Sequence, residues 1–211
     1  MINEKKRFRG FKSKRCPECY ISQIACICGN TPVIETKAAL CLLFHEYEIN
    51  KPTNTGWLIL RGIPGSKYFI WKRTEPDIEL LNIINNPLYQ PYIVFPIEKE
   101  EPVYSKNQSF VDDNKKPFFI ILDGTWNQAR KIYRKSPYLA KLPAIFLNTK
   151  KNSEYTLRSG TEPGQLCTVE VAIELLKLSN ENEASLKLYE YFKDFSKHYY
   201  AGKHQKPVYN L

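Results

Sequence analysis

Phe118-Phe119-Ile120-Ile121-Leu122-Asp123-Gly124-Thr125-Trp126-Asn127-Gln128-Ala129-Arg130-Lys131 reads as a strand that ends in a turn and restarts as a helix. The apolar run is unbroken, with no polar alternation, which suits a strand covered on both faces of a parallel sheet. Asp123 stands at its tip, Gly124 permits a turn, and Thr125 is a residue type that caps helices. Spacing alone leaves Asp123 either a turn-former or a functional carboxylate. Trp126 is expected to pack in the core beneath the turn, as most Trp residues do, against the alternative of stacking on a base.

The same alternation extends in both directions. Apolar runs at 38–44, 68–71, 92–95 and 144–147 read as further strands, and 56–61, 78–84, 126–134, 168–178 and 184–199 carry helical patterns. Strands alternating with helices predict an α/β fold, a mostly parallel sheet flanked by helices and joined by right-handed crossovers. In open sheets of this kind ligands bind beyond the carboxyl ends of the strands. His45, Pro96 and Asp123 follow three of the runs directly. His45 reads first as a hydrogen-bonded strand-end histidine, with at most a minor part in proton transfer. Residues 99–116 are polar and charged and read as the longest loop.

Composition narrows the class. In 211 residues the hydrophobic fraction is 43%, with 14 Tyr, 11 Phe and 3 Trp, enough to bury a core without disulfides. Intrinsic disorder and a disulfide-stapled miniprotein are excluded. The net charge of +9 points to a polyanionic partner, with RNA, DNA and an anionic membrane surface as the candidates. Lys5, Lys6, Arg7, Arg9, Lys12, Lys14 and Arg15 make residues 1–15 a basic tail, either solubilising or phosphate-binding. It has no apolar signal-like segment, and no apolar run reaches the roughly eighteen residues of a membrane span. The expected location is cytoplasmic, with no membrane partner.

Cys16, Cys19, Cys26 and Cys28 crowd into one short stretch as C-x2-C followed by C-x-C. In a reducing compartment such a cluster reads as a metal site. Four thiolates with no open position suit a structural zinc ion in a small module over 16–30, and an iron–sulfur cluster is the competing occupant. Cys41 and Cys167 stand apart in apolar surroundings and read as small buried hydrophobes.

Asp123-Gly124-Thr125-Trp126, together with the upstream cysteine pairs, resembles the signature of the DTW-domain family, the tRNA-uridine aminocarboxypropyltransferases. Lys51-Pro52-Thr53-Asn54-Thr55-Gly56 is similar to that family's K-P-S-N-T-G segment. Arg73-Thr74-Glu75-Pro76, Tyr89-Gln90-Pro91 with Val94-Phe95-Pro96, and Arg134-Lys135-Ser136-Pro137-Tyr138-Leu139 look like those of its bacterial members. So do Gly164-Gln165-Leu166-Cys167-Thr168-Val169-Glu170 and Tyr200-Ala201-Gly202-Lys203, and the shared order runs from Cys16 to Lys203. Trp57 departs from the pattern, which has Arg after Asn-Thr-Gly.

The resemblance implies a catalytic domain over 31–211, related to the SPOUT class, with a C-terminal trefoil knot around the cofactor. It implies transfer of the 3-amino-3-carboxypropyl group of S-adenosylmethionine to N3 of a tRNA uridine, releasing methylthioadenosine. Uracil N3 must lose its proton to become a nucleophile, and the expected general base is Asp123. The expected donor pocket comprises Asn54, Thr55, Gly56, Phe95, Pro96, Leu122, Thr125, Trp126, Cys167 and Thr168. Thr168 is expected to cap a helix whose N-terminus holds the donor's carboxylate, and Glu170 to complement that helix dipole. Arg130, Lys131, Arg134 and Lys135 form a basic ridge expected to contact the tRNA backbone, against the alternative of a merely solvated face. The competing functions are an RNA methyltransferase using the same donor and a non-catalytic zinc-containing RNA-binding protein.

Overall fold

Alternate residues along the strands face two separate cores. The computed structural model describes residues 14–95, 114–147, 153–155, 166–206 and 208; most of the basic tail, Pro96 and most of the 99–116 stretch lie outside them. The strands are β1 (Ala39–Phe44), β2 (Lys67–Ile70), β3 (Tyr89–Val94), β4 (Lys116–Asp123) and β5 (Ala144–Ile145). They form one sheet in the order β2-β1-β4-β3-β5, and every neighbouring pair is parallel.

Leu40, Leu42, Phe44, Phe119 and Ile121 point to one face. There they meet Leu58 and Ile59 of α1 (Gly56–Gly62), Val169 and Leu176 of α5 (Thr168–Leu178), and Phe192 and Phe195 of α6 (Asn182–Lys203). Cys41, Leu43, Phe118, Ile120 and Leu122 point to the other face. They pack on Leu80 of α2 (Ile78–Ile84), Ala129 and Ile132 of α3 (Trp126–Arg134) and Leu139 of α4 (Pro137–Ala140). Helices on both faces are why the central strands are apolar throughout, and each fully buried large side chain is worth roughly 1.5–3 kcal/mol.

Three elements differ from expectation. β3 begins at Tyr89, through Gln90 and Pro91. Pro91 is tolerated because β3 pairs with β5 only at Ile93 and Val94, so beside Pro91 no β5 strand needs an amide proton. β5 stops at Ile145, and the short α4, opened by Pro137 in its first turn, was not anticipated.

The cysteine-bearing segment joins the α1/α5/α6 core. Tyr20 takes a left-handed conformation (φ 58°), which closes a knuckle in which the Cys16 amide donates to the Ile21 carbonyl at 2.8 Å. Ile21, Ala25 and Ile27 are buried in the same cluster as Phe192 and Phe195. α6 passes so close that a Cβ on Gly202 would lie 3.1 Å from Ser22 Cβ.

The topology selects one position for ligands. From β1 the chain leaves through α1 to β2 on one side, whereas from β4 it leaves through α3 and α4 to β5 on the other. The carboxyl ends of β1 and β4, where Phe44 pairs with Asp123, are therefore the switch point, the crevice such sheets use for binding.

Candidate active site at the carboxyl ends of β1 and β4

Asp123 is the last residue of β4 and is 2% exposed. Strand alternation turns its side chain toward the α1 face, where Oδ1 accepts from Asn54 Nδ2 at 2.6 Å. Asn54 Oδ1 in turn accepts the Gly56 amide proton at 2.7 Å, an Asx turn that starts α1. Gly56 is needed for contact as well as for the turn. A Cβ there would sit 2.7 Å from Asp123 Oδ2 and 2.9 Å from Asn54 Oδ1. The 54–56 turn and the tip of β4, far apart in sequence, thus form one clasp.

Two helix N-termini converge beside it. Thr125 caps α3, its Oγ1 accepting from the Gln128 amide while the Gln128 side chain accepts from the Thr125 amide. At α5 the cap is Cys167, with extended backbone, and Thr168 is the first helical residue, one position from the expected cap. Glu170 closes this second capping box by accepting the Cys167 amide proton at 2.8 Å. It also accepts from Ser153 Oγ (2.6 Å) and the Glu154 amide (2.7 Å), so it ties the 153–155 segment to α5. That is more than dipole complementarity, and no local sequence pattern signalled it. Thr55 Oγ1 accepts the Val169 amide proton at 3.3 Å, joining α1 to the same helix start.

An apolar cleft opens on the β3/β5 side of Asp123. Phe95, Leu122, Gly124, Trp126 and Thr168 line it together with Phe146, Leu147 and Val171, which sequence reasoning missed. Trp126 is not core: it is 38% exposed, with its ring 6.0 Å from Phe95, because it is the first residue of a helix that begins beyond the carboxyl end of the central strand β4. Asn54, Thr55, Gly56, Thr125 and Cys167, also expected in the donor pocket, do not line this cleft; Asn54 and Gly56 belong to the clasp with Asp123. Pro96 lies outside the described residues.

His45 follows β1, and its amide donates to the Asp123 carbonyl at 2.9 Å. It is 4% exposed, and burial, helped by the nearby Lys131 charge, holds it below the ordinary histidine value. Arg130, Lys131, Arg134 and Lys135 are all exposed on α3. Trp57, in the place of the expected Arg, stacks on Phe44 at 5.5 Å and donates from Nε1 to the Ile49 carbonyl at 3.1 Å. It packs α1 on the sheet instead of presenting a cation.

The four cysteine Sγ atoms of the N-terminal segment lie within 4.8 Å of one another and could hold one metal ion. Cys16 to Cys28 is 3.7 Å and Cys19 to Cys26 is 3.8 Å, the edge length of a tetrahedron with metal–sulfur bonds of about 2.3 Å. Although burial opposes ionisation, hydrogen bonds from the Cys19 and Glu18 backbone and from the Cys26 and Cys28 thiols bring Cys16 down to about 7. Cys41 and Cys167 are buried, and burial pushes both thiols up, as expected of inert core residues.

The DTW domain pattern matches residues 13–200. The chain belongs to the DTW-domain family. A Drosophila melanogaster protein named tRNA-uridine aminocarboxypropyltransferase 2 is 26% identical over 175 residues, covering 78% of this chain and 66% of its own length. Proteins of the same name from Macaca fascicularis and Mus musculus are 27% and 25% identical over 180 residues, 79% of this chain and 57% of theirs. The chain thus spans roughly three fifths of the length of these curated relatives. No solved structure matches it. Among the described residues no helix is long and apolar enough to cross a membrane.

Proposed function

We propose that this DTW-family chain is a cytoplasmic transferase that moves the 3-amino-3-carboxypropyl group of S-adenosylmethionine to N3 of a tRNA uridine. The observation that carries the reading is the Asp123–Trp126 turn, set at the switch point beside an apolar cleft and two helix N-termini. The relatives named tRNA-uridine aminocarboxypropyltransferase 2 support the group transferred and its tRNA-uridine acceptor.

In this reading the cleft takes the adenosine and thioether part of the donor against Phe95, Leu122 and Trp126. The Thr168 amide, the first of α5, receives its carboxylate, the Val169 amide being held by Thr55. Asp123 accepts the uracil N3 proton. The N3 pair then forms a bond to the γ-carbon, the carbon–sulfur bond breaks, and its electron pair leaves with neutral methylthioadenosine. The sulfonium activates three carbons, so the choice of γ-carbon over methyl rests on near-attack geometry. Asp123 is 2% exposed and Asn54 holds its Oδ1, so the bond to the acceptor forms only in the productive complex, as catalytic hydrogen bonds commonly do.

The SPOUT-like, knotted C-terminal half implied by the family resemblance belongs to the same proposal. So does a structural zinc on Cys16, Cys19, Cys26 and Cys28, because the sulfur spacing suits one tetrahedral ion. The cysteines of a four-iron cluster bind different irons and stand farther apart. The +9 charge and the α3 ridge suit a tRNA backbone.

Incubating the purified chain with S-adenosylmethionine and tRNA, followed by mass spectrometry of nucleosides and of the spent donor, tests the reading. Aminocarboxypropyluridine with methylthioadenosine is expected. Adenosylhomocysteine would make the chain a methyltransferase. Bound tRNA with neither product would make it a binding protein.

A further inference from the structure

On the β1/β2 side of Asp123, away from the apolar cleft, a second group of side chains has, apart from Lys131 of the α3 ridge, no part in the chemistry above. Tyr47 is 62% exposed, and its ring lies 5.2 Å from that of His45. The His45 ring is 5.9 Å from Trp71, which follows β2, and Trp71 is held by a 2.9 Å hydrogen bond from Nε1 to Ser136 Oγ. The Lys131 ammonium stands 5.8 Å from the centre of the Trp71 ring, and Lys72 and Arg73 leave β2 exposed. The acidic neighbours are Glu46, which is exposed, and Glu48, which is buried and paired with Lys51 at 2.6 Å. The group is fixed to the reaction centre through the His45 amide on the Asp123 carbonyl.

We propose that this group is the acceptor subsite: Tyr47 stacks on an unpaired nucleotide of the tRNA, His45 and Trp71 back the ring, and Lys131 contacts its phosphate. The inference rests on the tRNA reading above. Aromatic rings beside cations are how single-stranded RNA is held, whereas paired bases expose no face to stack on. The placement also suits the displacement itself. A nucleophile attacks carbon from the side opposite the leaving group. In the strand order the tip of β4 lies between a donor in the β3/β5 cleft and an acceptor over β1/β2, so the two would approach each other from opposite sides.

The test uses the full chain, a short fluorescent oligouridylate and whole tRNA. Tyr47→Ala is expected to weaken oligouridylate binding roughly tenfold and raise the tRNA KM similarly, and Tyr47→Phe to restore both. Lys131→Gln is expected to lower the slope of log affinity against log salt by about 0.7. Affinity for S-adenosylmethionine should be unchanged in all three. Tyr47 is exposed enough for these variants to fold. Wild-type oligouridylate affinity in Tyr47→Ala, or loss of donor affinity instead, overturns the subsite. Binding is read without turnover, so a wild-type chain that makes no aminocarboxypropyluridine overturns the proposed reaction separately.

Discussion

Between Cys16 and Cys28, four sulfur atoms converge on one point, and their loop is sealed against α6 by Ile21, Ala25 and Ile27. At the end of β4 a carboxylate is also buried, bonded to Asn54 of the 54–56 turn, beside residues such as Trp126 and Tyr47 that face solvent. The first arrangement has every donor turned inward and leaves no position for a substrate. The second sets its carboxylate next to an open cleft. Closed sites of the first kind hold a fold together, and strained or poised sites of the second kind carry chemistry. The contrast predicts that damage to the two regions separates into lost stability and lost turnover.

The largest effect is expected at the sulfurs. Cys19→Ser removes one ligand from the proposed zinc site and exposes the packing of α6. Loss of a structural metal belongs with the most damaging single changes, about 4 kcal/mol or more. At roughly 2–4 °C per kcal/mol for a chain of this size, the melting temperature should fall by about 8–16 °C. Turnover per folded molecule should stay near wild type. Elemental analysis should find zinc in the freshly purified wild-type protein and less in the variant; zinc-free wild-type protein would remove the basis of the comparison.

Asp123→Asn is the counterpart. The amide keeps the size of the carboxylate and much of its hydrogen bonding, so the clasp should survive and the melt should move little. Turnover should fall by roughly two orders of magnitude or more, the share a positioned general base supplies. A thermal melt and a single-turnover assay on one preparation separate the outcomes. A well-folded Asn variant with near-normal turnover would show that Asp123 shapes the turn and nothing more.

The sequence carried these two regions unequally. The cysteine cluster is local, so the convergence of its four sulfurs could be read from spacing alone. The strands were equally legible, because Leu40–Phe44 and Phe118–Leu122 are apolar at every position and only a sheet covered on both faces demands that. The clasp was not legible, since Asn54 and Asp123 meet only after β1 and β4 pair. Trp126 misled for a related reason: residue type argues for burial, but its position at the first turn of α3, on the rim of the sheet, exposes it. The cap of α5 was misplaced because Cys167 is not a residue type that announces a cap, and Glu170, three residues on, could be seen as a tether only once the 153–155 segment lay against it.

The smallest expected effect sharpens the comparison from the strand-tip side. His45 is held below its ordinary value first by burial and next by Lys131; Lys51 acts in the same sense, and Glu46 and Glu48 oppose it. A histidine depressed in the folded state takes up its proton more readily in the unfolded chain. Above the ordinary value, near 6.5, both states are neutral and His45 adds no pH dependence. As pH falls through that value the unfolded chain is protonated first, so stability declines until the folded histidine also titrates, and below that point the loss is constant. Denaturation midpoints measured between about pH 7.5 and 5 should therefore fall in the wild type and fall less steeply in His45→Gln. The cysteine module, remote from His45, should contribute the same amount to both proteins across that range. Equal pH slopes in the two would mean that His45 is reached by solvent and charges freely. In that case the rings of Tyr47, His45 and Trp71 would not form the fixed backing that the acceptor subsite requires.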